Sequence, residues 1–334
     1  MPDRLKEVFA FAPGQFLTLR AHLGGSEVRR CYSICAGLDD GELAIAVKHV
    51  PQGLFSHHAN TALGAGDTIE VMPPEGRFGA PLTPDAARLH VGFAAGSGIT
   101  PIMAILRTVL SREPDSRFIL FYGNRSTPSI MFRETLEDLK DRYLGRLSVF
   151  HILSREEQDI PLLSGRLDAE KVRALLPRVI APTSIDHAYI CGPASMNEAI
   201  AAALAGIGVA PEKIHVERFV VPGAPLPRPS PAEAGEGVSA RPFAIATIIH
   251  DGKTNEVPIA EGEAVLEAGL RAGLNLPWSC RGGMCSTCRA RLREGQVTMA
   301  QNYALEPWEL AAGYVLTCQS HPATPRVTVD YDQV

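Results

Sequence analysis

Cys280, Cys285, Cys288 and Cys318 carry the most specific chemistry in the sequence. Four residues separate the first two, two separate the next pair, and the last thiol follows at a distance in VLTCQS. Thiolates spaced four, then two, then far apart hold the two irons of a [2Fe-2S] cluster. Gly282 and Gly283 let the backbone between them curl through positive φ and turn N–H groups toward the sulfurs, with Ser286 and Thr287 as small polar neighbours. Zinc is the minor alternative, because structural zinc sites usually pair two short C-x-x-C knuckles and only Cys285 and Cys288 form one here. Disulfides fit less well: the chain has 7 cysteines, an odd count, in 334 residues, enough length for a core without cross-links. Buried unliganded thiols would explain one or two of the four but not the spacing.

Two other stretches suit a nucleotide-bearing redox group. In Arg30-Cys31-Tyr32-Ser33, an extended strand puts Arg30 and Tyr32 on one face and Cys31 and Ser33 on the other. A flavin asks for a cation at its pyrophosphate, an aromatic surface near its ring or ribityl chain, and a hydroxyl near the reactive nitrogen. Alone, the tetrapeptide reads as an edge strand with a solvated arginine. It is followed, however, by Lys48-His49, then Gly53-Leu54-Phe55-Ser56 and a helix SHHANTAL, whose first N–H groups can receive a phosphate. Adjacent His57 and His58 point about 100° apart on that helix, so surface or capping roles suit them better than chelation. Cys31 and Cys35 read as core thiols. In the second stretch, Ala95-Gly96-Ser97-Gly98-Ile99-Thr100-Pro101 lies between a strand LHVGFA and an apolar helix MAILRTVL. Thr100 can cap that helix and Pro101 can start it, leaving glycine-loop N–H groups for a pyrophosphate. A coenzyme 2'-phosphate needs cations or hydroxyls at the next strand ends, where Arg125-Ser126 and Ser154-Arg155 stand. No acidic residue ends FILFYGNRS to hold a free ribose diol.

R-x-Y-S followed by G-x-x-S resembles the FAD-binding barrel of the ferredoxin-NADP reductase superfamily. The resemblance implies FAD rather than FMN, with Arg30, Tyr32 and Ser33 contacting the flavin. It implies Lys48, His49, Gly53, Leu54, Phe55 and Ser56 along the ribityl and phosphate portion. G-S-G-I-T-P is similar to the pyridine-nucleotide loop of the same superfamily, which implies coenzyme contacts from Gly96, Ser97, Gly98 and Thr100. In YICGPASM it implies Cys191 beside the nicotinamide with Gly192 and Pro193, a buried structural cysteine being the plainer alternative. Glu217 and Phe219 fall where the superfamily has an acidic residue near the flavin and an aromatic near its ring; strand alternation explains them almost as well. Ser154-Arg155-Glu156 resembles the NADP-binding part of plant-type reductases, although relatives using NADH also carry a serine-arginine pair. NADPH is favoured, with NADH the alternative. Ser33, Cys191 and Glu217 are expected to shape the hydride-transfer pocket without a general base. Superfamily members usually have another strand before F-x-P-G-Q, so the barrel is expected to lack a strand.

The motifs RRCYSICAG, MPPEGRFG, AAGSGITP, FYGNRS, YICGPASM, HVERF and NYALEPWELAAGYVLTCQS span nearly the whole chain. They resemble the reductase components of multicomponent oxygenases, those of phenylacetyl-CoA epoxygenases above all. Reductases of steroid 9α-hydroxylases and other oxygenases share the domain order. The likeness implies cytoplasmic phenylacetate breakdown, with electrons handed to a di-iron oxygenase. A non-catalytic iron-sulfur carrier or redox sensor is the competing class.

These residues need three kinds of scaffold. FAPGQFLTLRA, VRRCYSICAG, ELAIAVKHV and GDTIEVMPPEG read as antiparallel strands of a small FAD barrel over residues 1–85. LHVGFA, RFILFYG, LSVFHIL and HAYICG alternate with helices over 86–220, an α/β nucleotide domain with a parallel sheet. Residues 221–242, rich in proline and glycine, read as a linker. From 243 to 334, an Asp-Gly hairpin, the helix AVLEAGLRAGL, the cysteine loop and a closing strand VTVDY fit a β-grasp ferredoxin domain. Composition is that of a globular chain, 46% hydrophobic and 21% charged, and a formal net charge of -5 gives no footprint for nucleic acid. The longest apolar run, from Val91, is broken by glycine and proline and makes a poor membrane span. With no secretory leader, a reducing cytoplasm is expected.

Overall fold

The computed structural model describes residues 3–219 and 242–333. Its first strands, β1 (Phe16–Leu23) and β2 (Ser26–Ser33), are joined by Gly24-Gly25 with φ of 60° and 79°. Two consecutive positive φ values give the turn whose twist matches that of the strands it joins. After α1 (Leu54–Thr61) comes the short β3 (Glu70–Val71), antiparallel to β1 through Leu19↔Val71 and Arg20↔Glu70, in the order β2-β1-β3. ELAIAVKHV contributes only an isolated bridge, Ile45↔Ile34. Beyond it the backbone is satisfied otherwise: the Asn60 Nδ2 donates to the Val47 carbonyl at 3.2 Å, so no ladder is needed there.

Strands and helices then alternate as expected: β4 (Leu89–Ala95), α2 (Ile99–Arg112), β5 (Arg117–Asn124), α3 (Arg133–Arg142), β6 (Leu147–Leu153), α4 (Ala169–Val179), β7 (His187–Cys191), α5 (Ala194–Gly206) and β8 (Ile214–Glu217). The sheet order is β6-β5-β4-β7-β8, with every pairing parallel. The chain steps outward from β4 to β6, then returns to the far side of β4 as β7. That reversal opens a crevice between the carboxyl ends of β4 and β7, the place where open α/β sheets bind ligands. The centre of the sheet is apolar on both faces, as parallel strands between helices require: Val91 and Phe93 pack with Ile190 and Ile200, and Ala94 packs with Ile102, Met103 and Leu106 of α2.

At the opposite, amino end of this sheet lies a stack of rings. His187 Nδ1 and His215 Nε2 are 3.1 Å apart, Tyr189 stacks on His215 at 5.2 Å, and His90 meets Glu113 at 3.2 Å. Arg88 pairs with Glu113 and reaches His187 Nε2 at 3.3 Å. Burial, then His90, His215 and Arg88, push His187 down to about 4, against the pull of Asp186, and burial lowers His90 and His215 as well. Depressed histidines stabilise the fold fully above the unfolded value near 6.5 and lose that contribution as pH falls through about 4. Thermal melts from pH 7 down to 4.5 should lose about 1–2 kcal/mol through His187, allowing for solvent at its half-buried ring. His187→Phe should flatten that limb, and an unchanged acid slope would refute the assignment.

The third set of elements is β9 (Ala244–His250), β10 (Lys253–Ile259), α6 (Val265–Arg271), β11 (Arg289–Glu294), β12 (Val297–Met299), α7 (Pro307–Ala311), β13 (Tyr314–Leu316), β14 (Ser320–Pro322) and β15 (Arg326–Asp330). Asp251 and Gly252 turn β9 into β10 with φ of 52° and 67°, as the Asp-Gly pair predicts. The sheet runs β10-β9-β15-β11-β13, with β15 parallel to β9, and α6 buries Val265, Leu266 and Ala268 against it.

The chain divides into two units, one holding residues 1–17, 32–63 and 76–222, the other 18–31, 64–75 and 223–334. The expected linker, apart from Pro242, lies outside the described residues. Among the described residues no helix is long and apolar enough to cross a membrane.

Candidate functional site

In the first unit, the crevice at the β4/β7 switch point is built by backbone. Gly96 follows β4 with φ +54°, and a Cβ there would stand 3.6 Å from Lys48 Nζ, so the lysine ammonium sits over the glycine loop. Gly98 presses on the end of β7: a Cβ on it would fall 2.0 Å from the Cys191 carbonyl oxygen. The helix α2 begins at Ile99, one residue before the expected cap. Thr100 therefore does not cap it. It lies inside the first turn and donates from Oγ1 to the Ser97 carbonyl at 2.9 Å. Pro101 stays in that turn, where its missing N–H costs nothing. No side chain caps α2 at Gly98; the Ile99 N–H donates to the Gly96 and Ser97 carbonyls, so what the loop offers an anion is the positive end of the helix dipole.

Around this loop the carboxyl strand ends converge. Tyr122 donates to the Gly96 carbonyl at 2.9 Å, and Asn124 ends β5 with both amide atoms buried and without a hydrogen-bond partner. An orphaned buried amide fits a site completed by a ligand. Sequence reading missed Asn124, although it immediately precedes Arg125. The Ser154 N–H donates to the Asn124 carbonyl at 2.9 Å and the Arg155 N–H to the Arg125 carbonyl at 2.8 Å, so both basic candidates share one edge, exposed at adjacent strand ends. Ser126 caps the following turn, its N–H donating to Ser129 Oγ at 3.1 Å. Gly192 and Pro193 carry β7 into α5, and a Cβ on Gly192 would meet the Met196 side chain at 2.4 Å.

Cys191 pairs in register with Glu217. The thiol is wholly buried, and burial followed by the Glu217 charge raises it well above its ordinary value. Burial also lifts the Glu217 carboxyl to about 7, against the opposing pull of Arg218, whose N–H donates to Glu217 Oε1 at 3.2 Å. Asn197 Nδ2 donates to the Glu217 carbonyl at 2.8 Å and fixes this strand end, a support that sequence reading did not find. Phe219 follows, 39% exposed.

Along the flavin strand, Tyr32 lies half-buried with its ring 5.5 Å from Phe55, and Ser33 is buried at the end of β2. Arg30 belongs to the second unit and donates to the Arg29 carbonyl at 2.7 Å. Gly53 starts α1 without a side-chain cap, leaving its first N–H groups open, and a Cβ there would meet Ser56 Oγ at 2.5 Å. Ser56 is turned inward, accepting from the Val50 N–H at 3.1 Å, while Leu54 and His49 are exposed. His57 is exposed and His58 half-buried. Cys35 is a core thiol donating to the Ala44 carbonyl at 3.4 Å. Cys31 departs from expectation: it is half-buried and hydrogen-bonded to Ser279.

In the second unit, Arg281, Gly283 and Ser286 take φ of 51°, 76° and 58°, which curls the cysteine loop. The Gly282 and Met284 N–H groups donate to Cys280 Sγ at 3.3 and 3.4 Å, and the Cys280 N–H donates to Cys285 Sγ at 3.4 Å. Among the described residues no three His, Cys, Asp or Glu side chains gather around a single metal ion. The thiols stand instead as two pairs: hydrogen bonding to Cys285, then burial, raises Cys280, and hydrogen bonding to Cys318, then burial, raises Cys288. Two thiol pairs under backbone donors fit a two-iron cluster, one pair to each iron.

The crevice, the flavin strand and the paired thiols define an oxidoreductase of the type that couples a pyridine nucleotide to an iron-sulfur centre through a flavin. The comparisons agree. Residues 3–79 match the oxidoreductase FAD-binding domain, 93–202 the oxidoreductase NAD-binding domain, and 248–323 the 2Fe-2S iron-sulfur cluster binding domain. The chain belongs to the ferredoxin-NADP reductase-like family of oxygenase reductase components. It is 44% identical, over 99% of its length and 92% of the relative, to a component of the 1,2-phenylacetyl-CoA epoxidase of Escherichia coli. It is 36% identical, over 99% of its length and 87% of the relative, to the ferredoxin reductase component of 3-ketosteroid-9-alpha-monooxygenase of Mycobacterium tuberculosis. Among solved structures, phthalate dioxygenase reductase superposes with a TM-score of 0.54 at 22% identity, over 96% of this chain and 88% of that one. The bound groups supply the chemistry, NAD(P)H as hydride donor, FAD as the two-to-one electron converter and [2Fe-2S] as the single-electron outlet.

Proposed function

We propose that this chain is the NADPH-oxidising reductase of a phenylacetyl-CoA epoxygenase, passing electrons to its di-iron oxygenase component in the cytoplasm. The observation that carries the reading is the identity to the epoxidase component along nearly the whole of both chains, 44% against 36% for the steroid monooxygenase reductase. The family spans support a barrel domain over 1–85, a nucleotide domain over 86–220 and a ferredoxin domain over 243–334, joined by a linker over 221–242. Gly96, Ser97, Gly98 and Thr100, with Gly192 and Pro193, would receive the coenzyme pyrophosphate and nicotinamide end. Arg125, Ser126, Ser154 and Arg155 would receive the 2'-phosphate. Arg30, Tyr32, Ser33, Lys48, His49, Gly53, Leu54, Phe55, Ser56 and Phe219 would hold FAD, and Cys280, Cys285, Cys288 and Cys318 the cluster.

The test is turnover of the purified reductase with an epoxygenase and a steroid hydroxylase oxygenase, with either coenzyme. NADPH-driven turnover with the epoxygenase supports the reading, and transfer to the steroid enzyme alone would reassign the acceptor. Arg155→Ala should lower kcat/KM for NADPH by about tenfold, on the order of one charge-assisted contact, and leave NADH nearly untouched. Equal losses with both coenzymes would remove the 2'-phosphate role.

Ser33, Cys191 and Glu217 shape the hydride-transfer pocket in this reading, and Glu217 gives it a pH dependence. Its carboxyl holds a proton below about 7 and a charge above it. Because the folded value lies above the unfolded one, its contribution to stability is complete below about 4.5 and is withdrawn as pH rises through 7. Coenzyme oxidation by the holoenzyme should therefore show an ionisation near pH 7 that Glu217→Gln abolishes. A profile identical in the variant would sever Glu217 from the reaction.

A further inference from the structure

Asn124 brings an unsatisfied amide to the wall of the coenzyme crevice. The residue is 8% exposed, and neither Oδ1 nor Nδ2 has a hydrogen-bond partner among the described residues. Burying both atoms unpaired carries a cost that a bound group would remove. Side chains alternate along β5, which puts Asn124 on the side of Tyr122 and opposite Gly123, where a Cβ would meet Leu167 at 3.2 Å. The neighbouring Tyr122 hydroxyl gives its one hydrogen to the Gly96 carbonyl at 2.9 Å and has none for Oδ1. On the other edge of the strand, the Ser154 N–H donates to the Asn124 carbonyl at 2.9 Å. Asn124 thus stands between the glycine loop that follows β4 and the Ser154-Arg155 edge that follows β6, as the order β6-β5-β4 requires.

We infer that Asn124 binds the adenosine ribose of the coenzyme and, being uncharged, admits NADH as well as NADPH. This deepens the coenzyme reading of the crevice and rests on it. The covalent order of the coenzyme matches the order along the sheet: pyrophosphate at Gly96, ribose at Asn124, 2'-substituent at Ser154 and Arg155. A phosphate alone does not suit the amide, because phosphate oxygens at neutral pH accept hydrogen bonds and would leave Oδ1 unpaired. A ribose carries what is missing. Its 3'-hydroxyl can donate to Oδ1, while the 2'-oxygen beside it, free or esterified, accepts from Nδ2. Rossmann-type sites selective for NAD place an acidic residue on the ribose 2'-hydroxyl, and a carboxylate there repels a 2'-phosphate. The Asn124 amide keeps the hydrogen bonds and drops the repulsion.

Isothermal titration of the holoenzyme with ADP and with 2',3'-dideoxy-ADP tests the contact before any residue is changed. The wild type should hold ADP about tenfold more tightly, the worth of two neutral hydrogen bonds. Asn124→Leu should weaken ADP by about the same factor and abolish the preference, closing a double-mutant cycle between the amide and the ribose hydroxyls. Asn124→Asp gives a second readout that a merely structural amide would not move. It should raise the ratio of the NADPH to the NADH dissociation constant by about tenfold or more, since its charge faces the 2'-phosphate. A wild type indifferent to the two hydroxyls, or an aspartate variant that keeps the wild-type ratio, overturns the inference alone. A wild type that binds neither ADP nor either coenzyme overturns the coenzyme reading of the crevice with it. Should the leucine variant fail to fold, the wild-type preference and the aspartate variant decide.

Discussion

Cys288→Ala is expected to strip the iron-sulfur centre and cut electron delivery to an oxygenase by roughly 100-fold or more, the loss that removal of mere supporting groups already approaches at metal sites. The thiol is 3% exposed and paired with Cys318, so no solvent molecule or neighbouring side chain can replace it as a ligand. The surrounding fold should survive the change. Thr317 holds the Cys288 carbonyl through its own N–H at 3.1 Å and its hydroxyl at 2.9 Å, and those bonds do not involve the sulfur. Cys288 is one small member of a core that also holds Ala246, Ile248, Val257, Leu266 and Val329. Reduction of ferricyanide by NAD(P)H should therefore stay near the wild-type rate, while transfer to the oxygenase collapses. An iron-depleted variant that still fed the oxygenase at the original rate would show that electrons leave by another route.

Gly98→Ala is expected to lower kcat/KM for the coenzyme by on the order of 100-fold, the effect of moving a reacting group by about 1 Å. Backbone strain is not the reason, since Gly98 has φ -61° and ψ -8°, ordinary for alanine. The obstacle is space. The new methyl would lie 2.0 Å from the Cys191 oxygen, 2.5 Å from its carbonyl carbon and 3.0 Å from the Gly192 nitrogen, all of them main-chain atoms. Neither the glycine loop nor the end of β7 can rotate a side chain out of the way, so the loop must retreat from the crevice. Overpacking of this kind typically costs about 1–3 kcal/mol of stability as well. Stopped-flow reduction of the holoenzyme and a thermal melt would measure both effects. Unaltered coenzyme kinetics would mean that the close approach of Gly98 to Cys191 does not set the site.

Much of this arrangement is legible in the sequence. The Asp-Gly turn, the parallel strands and the apolar α2 follow from local rules: two residues that tolerate positive φ, a run buried on both faces, and a 3.6-residue period. Local rules fail at ELAIAVKHV, whose alternation promises a strand. A strand exists only where a neighbour offers a ladder, and here the Asn60 side chain takes the Val47 carbonyl instead. They fail at Thr100 for a similar reason. The short turn Gly96–Gly98 already supplies the entry into α2, so the hydroxyl bonds back to Ser97 instead of capping. Asn124 escapes notice because nothing in a single sequence distinguishes a buried orphan amide from a solvated one.

The cysteine spacing, the R-x-Y-S strand and the glycine loop point in advance to the classes of redox group that the matched domains bind, because ligand type, loop length and backbone freedom are properties of short segments. Tertiary structure alone decides which distant segments meet. It sets Glu217 beside Cys191, where low-dielectric surroundings lift the carboxyl to about 7. It also brings Cys31, a residue unremarkable in sequence, against Ser279 beside the cysteine loop. Burial and contact between residues hundreds of positions apart depend on how the whole chain packs, and no short segment carries either quantity.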